Sequence, residues 1–113
     1  MAKWGLLTNH AHVLIQVVRD PSSTVREIAQ ITGITERSAH AVLQDLRQAG
    51  IIYTRKNGRQ NINRLDPAAL INHPHWGASD MEIPKPLIDA ALRGLATVAT
   101  RTENAETHQR ESA

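Results

Sequence analysis

Apolar side chains at Ala11, Leu14, Ile15 and Val18 recur at the spacing of one helical face, which predicts a helix from about Thr8 to Arg19. Val13 and Val17 give that helix a second apolar side, and a helix apolar on two sides has to be covered twice. After the turn Asp20-Pro21-Ser22-Ser23, the run Thr24-Val25-Arg26-Glu27 has the spacing of a capping box. The threonine there caps backbone amides and the glutamate reaches back. A short helix to about Ile31 follows, with Val25, Ile28 and Ala29 inward. Thr32-Gly33-Ile34 breaks it, because glycine accepts the left-handed conformation that ends a helix. Thr35 is then an N-cap for a helix carrying Ala39, Val42, Leu43 and Leu46 on one face and ending at Gly50.

The period changes beyond Gly50. Two strand-like segments, 51–56 and 60–65, flank Asn57-Gly58, a strong hairpin signal that predicts a type I′ turn. Asp66-Pro67-Ala68-Ala69-Leu70 suits one helical turn. Residues 72–85 hold Pro74, Gly77 and Pro84 and read as an ordered linker. Pro86 suits the first turn of a last helix, 86–101, whose stripe is Ile88, Ala91, Leu92, Leu95 and Ala99. Residues 102–113 are polar and are expected to be a disordered tail. The chain therefore divides into a domain of residues 1–71, a linker, a helix and a tail. The fold class expected is mainly α with a small β-hairpin.

Composition narrows the function. A chain of 113 residues, 41% hydrophobic, supports one core. The absence of cysteine excludes disulfides and thiolate metal sites. No segment approaches the roughly 18 apolar residues of a membrane span, and residues 1–8 lack the apolar core and cleavage site of a signal peptide. A cytoplasmic protein is expected. The net charge of +2 is unevenly spread. Residues 35–64 carry six basic side chains (Arg37, Arg47, Arg55, Lys56, Arg59, Arg64) against Glu36 and Asp45, a local +4. From residue 65 onward, four basic groups face seven acidic ones, a local −3. A positive middle segment can attract phosphate or be a solvated face.

Helix, short helix, tight turn, helix and basic hairpin is the order of a winged helix-turn-helix. The run Ile34-Thr35-Glu36-Arg37-Ser38-Ala39-His40-Ala41-Val42-Leu43-Gln44-Asp45-Leu46-Arg47-Gln48-Ala49-Gly50-Ile51-Ile52 fits it most specifically. In this pattern, over residues of about 8–66, the chain resembles winged-helix transcriptional regulators of the MarR and ArsR type. The resemblance implies binding to double-stranded DNA, with the N-terminal half of recognition helix 35–49 in the major groove. Arg37 would fork onto guanine and Gln44 pair with adenine, while Ala41 would let the backbone approach or touch a thymine methyl. Glu36 would accept from cytosine or stabilise the helix N-terminus through its dipole. His40 would meet a base or phosphate or remain neutral surface. Thr35 and Ser38 are placed for phosphates, as are Ser23 and Thr24 at the preceding helix N-terminus. Arg55, Lys56, Asn57, Gly58 and Arg59 would form the wing (51–65) beside the minor groove.

The resemblance also implies a homodimer on a palindromic site, since one winged helix contacts one half-site. Val13 and Val17, with Ile88, Leu92, Leu95 and Ala99, are the expected dimerisation surface, the last helix packing both on the first and on its mate; alternatively the two surfaces cover each other within one chain. A metal site is not expected: His10-Ala11-His12 points two ways along a helix, and His73-Pro74-His75 has no carboxylate at an obvious spacing. No cofactor is expected either, and no nucleophile–base pair or glycine-rich phosphate loop marks an enzyme. Trp4 and Trp76 read as packing residues, although a linker holding His73 to Trp76 could also line a ligand pocket. Two further readings stay open: a winged-helix protein-interaction module, and a nonspecific chromatin-type DNA binder.

Overall fold

A computed structural model describes the backbone of residues 5–74, 76 and 81–112, with side chains as far as residue 99. The elements run α1 (Asn9–Arg19), α2 (Val25–Thr32), α3 (Glu36–Gln48), β1 (Ile52–Asn57), β2 (Gln60–Leu65), α4 (Pro67–Ile71) and α5 (Lys85–Ser112). This is a winged helix-turn-helix followed by a C-terminal helix, as the sequence pattern implied.

Local chemistry sets the first three helices. Thr8 caps α1, its hydroxyl accepting from the Ala11 amide. At α2 the capping box is complete: Thr24 Oγ1 accepts from the Glu27 amide at 3.1 Å, and the Thr24 amide donates to Glu27 Oε1 at 3.2 Å. Gly33, at φ +75°, turns the chain out of α2, and both Gly33 N and Ile34 N donate to the Ala29 carbonyl. Thr35 Oγ1 caps α3 by accepting from the Ser38 amide at 3.0 Å. Past its other end, Gly50 also has φ +75°. Gly50 N donates to Arg47 O and Ile51 N to Leu46 O, the two bonds of a Schellman motif. That motif seats Ile51 in the core and delivers the chain directly into β1.

The core lies where α1, α2 and α3 meet, with Ile28, Leu43, Ile52, Val13 and Val17 almost fully buried. This corrects the expectation for α1. Val13 and Val17, at 0% and 1% exposure, lie inside the chain's own core rather than on a face available to a partner. On the other face of α1, Ala11 and Ile15 are only half covered, and α5 packs against α1 within the same chain. Both sides of α1 are apolar, and each contributes to the core: Val13 and Val17 from one, Leu14 and Val18 from the other.

The hairpin is real but its turn differs from the expected one. Asn57 pairs with Gln60, so the two-residue loop is Gly58-Arg59 rather than Asn57-Gly58. Gly58 has φ +65°, and no described non-glycine residue has positive φ. That is the sign pattern of a type II′ turn, which needs one left-handed residue, at the first central position. Type I′ would have forced Asn57 into the left-handed region as well, whereas Gly58 alone enters it freely.

Asp66 caps α4 with Pro67 at its first position, and Leu70 reaches the core. Helix α5 starts at Lys85 and remains helical to Ser112, past the tail boundary expected at Thr102. Between Leu87 and Ser112 there is no proline and one glycine, Gly94, so nothing in the chain breaks the helix where polar composition had suggested an end.

Candidate nucleic-acid interface

The caps and core positions of α3 determine what its other face presents. Ala39, Val42, Leu43 and Leu46 are buried, which turns Glu36, Arg37, His40, Ala41 and Gln44 outward, all exposed. Among the described residues no hydrogen bond or ion pair engages the side chains of Glu36, Arg37, His40 or Gln44. Ser38 Oγ accepts the Thr35 hydroxyl proton at 2.9 Å, leaving its own O–H to donate outward beside the positive end of the helix dipole.

The α2 N-terminus is less open than expected. Ser23 is 5% exposed; its hydroxyl donates to the Asp20 carbonyl at 2.8 Å and accepts from Gln16 Nε2 at 3.1 Å. Both roles of that hydroxyl are spent on the α1–α2 turn, which removes Ser23 from the phosphate-contacting set. Thr24 is exposed, but its oxygen serves the capping box and the Glu27 carboxylate sits beside it. Only the Thr24 O–H remains to donate.

The wing residues Arg55, Lys56, Asn57, Gly58 and Arg59 are all exposed. Strand alternation divides them. Ile52, Thr54 and Lys56 share the face turned toward α3, while Tyr53 and Arg55 lie on the opposite face and Arg59 at the tip. On that outer face the Arg55 guanidinium stands 5.4 Å from the centre of the Tyr53 ring, and exposed Arg64 pairs across from Tyr53. Arg64 belongs to the basic surface by position, although it stood outside the expected wing set. Its signal was available in the register: it lies opposite Tyr53, two residues beyond Ile62.

Two polar contacts tie α3 to the rest of the chain. His10 Nε2 meets Asp45 Oδ2 at 2.9 Å, linking the start of α1 to the recognition helix. Arg47, in the last turn of α3, bonds to the wing through Thr54 and Asn63. Neither contact is visible at short sequence range. His10 is engaged by Asp45, while His75 lies outside the described residues, as does Trp4. Among the described residues no three His, Cys, Asp or Glu side chains gather as metal ligands. Trp76 packs on the core, and its Nε1 donates to Leu70 O at 3.1 Å. His73 and Trp76 border an open, mainly apolar cleft of about 790 Å³ between α1, the end of α3, α4 and α5. No described helix is long and apolar enough to cross a membrane.

Three helices followed by a basic two-stranded wing define the class as a winged helix-turn-helix protein. A model of the MarR family matches residues 4–60, and the chain belongs to that family. No curated protein matches the chain. Family membership makes it a DNA-binding transcriptional regulator.

Proposed function

We propose that the protein is a sequence-specific regulator that binds double-stranded DNA as a homodimer, acting in the cytoplasm on the nucleoid. The recognition helix α3 enters the major groove, and the wing runs beside the minor groove. The observation that carries this reading is the outward face of α3, where Arg37, His40 and Gln44 are exposed and have no hydrogen-bond or ion-pair partner among the described residues. A fold retained only for protein contacts has no need of an unengaged arginine there, with Arg55, Lys56, Arg59 and Arg64 alongside.

Dimerisation is supported by α5. Ile88, Leu92, Leu95 and Ala99 remain only half-buried after packing within the chain, and Leu87 is 59% exposed. An apolar stripe of that kind suits a second copy of the same helix. The cleft beside Trp76 lies next to this face, so a mate packed on α5 would cover part of its rim.

The two kinds of contact separate experimentally. Replacing Arg37 by alanine is expected to relax base preference at one position and cost about 1–3 kcal/mol on the preferred site. Arg59→Ala is expected to weaken binding to all sequences alike, because a wing-tip charge meets the backbone. Gel shifts in which both variants bind as the parent does overturn the reading.

A further inference from the structure

We infer that Arg47 is a positioning residue that locks the wing to the recognition helix, so that helix and wing meet DNA as one rigid reader. The inference rests on the DNA-binding reading above, and its observations are separate from those that carry that reading. Arg47 Nε donates to Thr54 Oγ1 at 2.8 Å, and the Thr54 hydroxyl donates in turn to Asn63 Oδ1 at 2.7 Å. Arg47 Nη2 reaches the same Asn63 oxygen at 3.4 Å. Thr54 and Asn63 stand directly opposite each other on β1 and β2, so one guanidinium ties both strands to the end of α3.

The far side of this network is also anchored. Asn63 is 4% exposed, and its backbone amide donates to the Pro21 carbonyl in the α1–α2 turn at 2.9 Å. The base of the wing is thereby held between the recognition helix and the turn that precedes α2. Such an anchor is needed because a two-stranded ribbon has little stability of its own, and Ile52 is the one buried residue of β1. Hydrophobic contact fixes the root of the wing, whereas polar contact fixes its angle. Arginine suits this task, since its planar fork holds two acceptors at set directions while a lysine ammonium does not. Arg47 therefore differs from Arg37 on the same helix: one is half-buried and engaged, the other exposed and free.

The test uses fluorescence anisotropy with random-sequence duplex DNA as probe, on the parent, Thr54→Val, Arg47→Lys, Arg59→Ala and the Thr54→Val/Arg59→Ala double variant. Thr54→Val changes no charge yet removes the centre of the network; an affinity loss of about fivefold is expected, the worth of one hydrogen bond. Arg47→Lys keeps the charge and is expected to lose as much. In the Arg59→Ala background the Thr54→Val effect should be smaller than in the parent, because the tip contact that a misplaced wing loses is already gone while those of Arg55 and Lys56 remain. A general loss of stability would not show that dependence on Arg59. Additive losses, or parental affinity in Arg47→Lys, overturn the inference. If the parent itself does not bind, the DNA-binding reading fails. The lock is then decided by hydrogen exchange without DNA: faster exchange of β1 and β2 amides in Thr54→Val, with α1 unchanged, supports it, and unchanged wing exchange overturns it.

Discussion

Salt is the sharpest probe of how the basic surface is used. Of the five exposed basic side chains on the recognition helix and wing, Arg64 lies toward the root of the wing, opposite Tyr53, and the other four, Arg37, Arg55, Lys56 and Arg59, have no ion-pair partners among the described residues. If each neutralises one phosphate, the logarithm of the binding constant falls against the logarithm of salt with a slope of about −3.6 for one protomer and about −7 for a dimer. Between 50 and 200 mM salt that is a loss of ~150-fold for a single bound copy and ~20,000-fold for two. Arg59→Ala removes one contact per copy, so the slope should become shallower by about 0.9 in a monomeric complex and about 1.8 in a dimeric one. The assay is a salt titration by anisotropy on a fixed duplex, with parent and variant side by side. The size of the change thus reports the number of wings engaged. A slope near zero, or one that Arg59→Ala leaves unaltered, refutes the placement of the wing along the phosphate backbone.

Two further predictions concern the scaffold. In Gly33→Ala, a Cβ at position 33 meets nothing within 4 Å, so the cost is conformational alone. The left-handed penalty of about 1–2 kcal/mol, offset by a gain of about 0.4–1 kcal/mol through the less flexible unfolded chain, leaves a net loss near 1 kcal/mol. The thermal midpoint should drop by several degrees, and a rise would contradict the conformation assigned to that turn. Val17→Ala opens space in a fully buried site and should cost about 2 kcal/mol in urea unfolding. It should leave sedimentation at twice the 12.5 kDa of the chain; dissociation without loss of stability would return Val17 to a subunit interface.

Features settled by neighbouring residues were legible in the sequence. The capping box at Thr24, the N-cap at Thr35 and the glycines at 33 and 50 each act over a few residues, and all four sit where their chemistry requires. The outward face of α3 followed in the same way, because burying Ala39, Val42, Leu43 and Leu46 leaves one orientation for Arg37 and Gln44. Features decided by packing between distant elements were not legible. Both sides of α1 are apolar, so the core position of Val13 depends on where α2 and α3 land. Ser23 looked like a free hydroxyl beside a helix N-terminus until Gln16, seven residues away, was folded against it. The His10–Asp45 and Arg47–Asn63 contacts span 35 and 16 residues, with no local pattern to announce them. The hairpin turn lies between these cases. Asn57-Gly58 signalled it correctly, while the strand register moved the loop one residue onward.

On the proposed reading, DNA recognition is divided between two elements joined by a Schellman turn. The recognition helix offers side chains with free donors and acceptors, as base edges require. The wing offers charge, and its angle is held from below by Arg47 and Asn63. Helix α5, packed on α1 but still half-exposed along its apolar stripe, is the element suited to set the spacing between two such readers.

Selection of bound duplexes from a random-sequence pool tests the central claim most directly, because it reads binding, specificity and symmetry together. The account predicts enrichment of a two-fold symmetric site whose half-sites lie about one helical turn, roughly 34 Å, apart, with preference at one position lost in Arg37→Ala. Recovery of no preferred sequence, or of a preferred sequence that Arg37→Ala leaves intact, would contradict it.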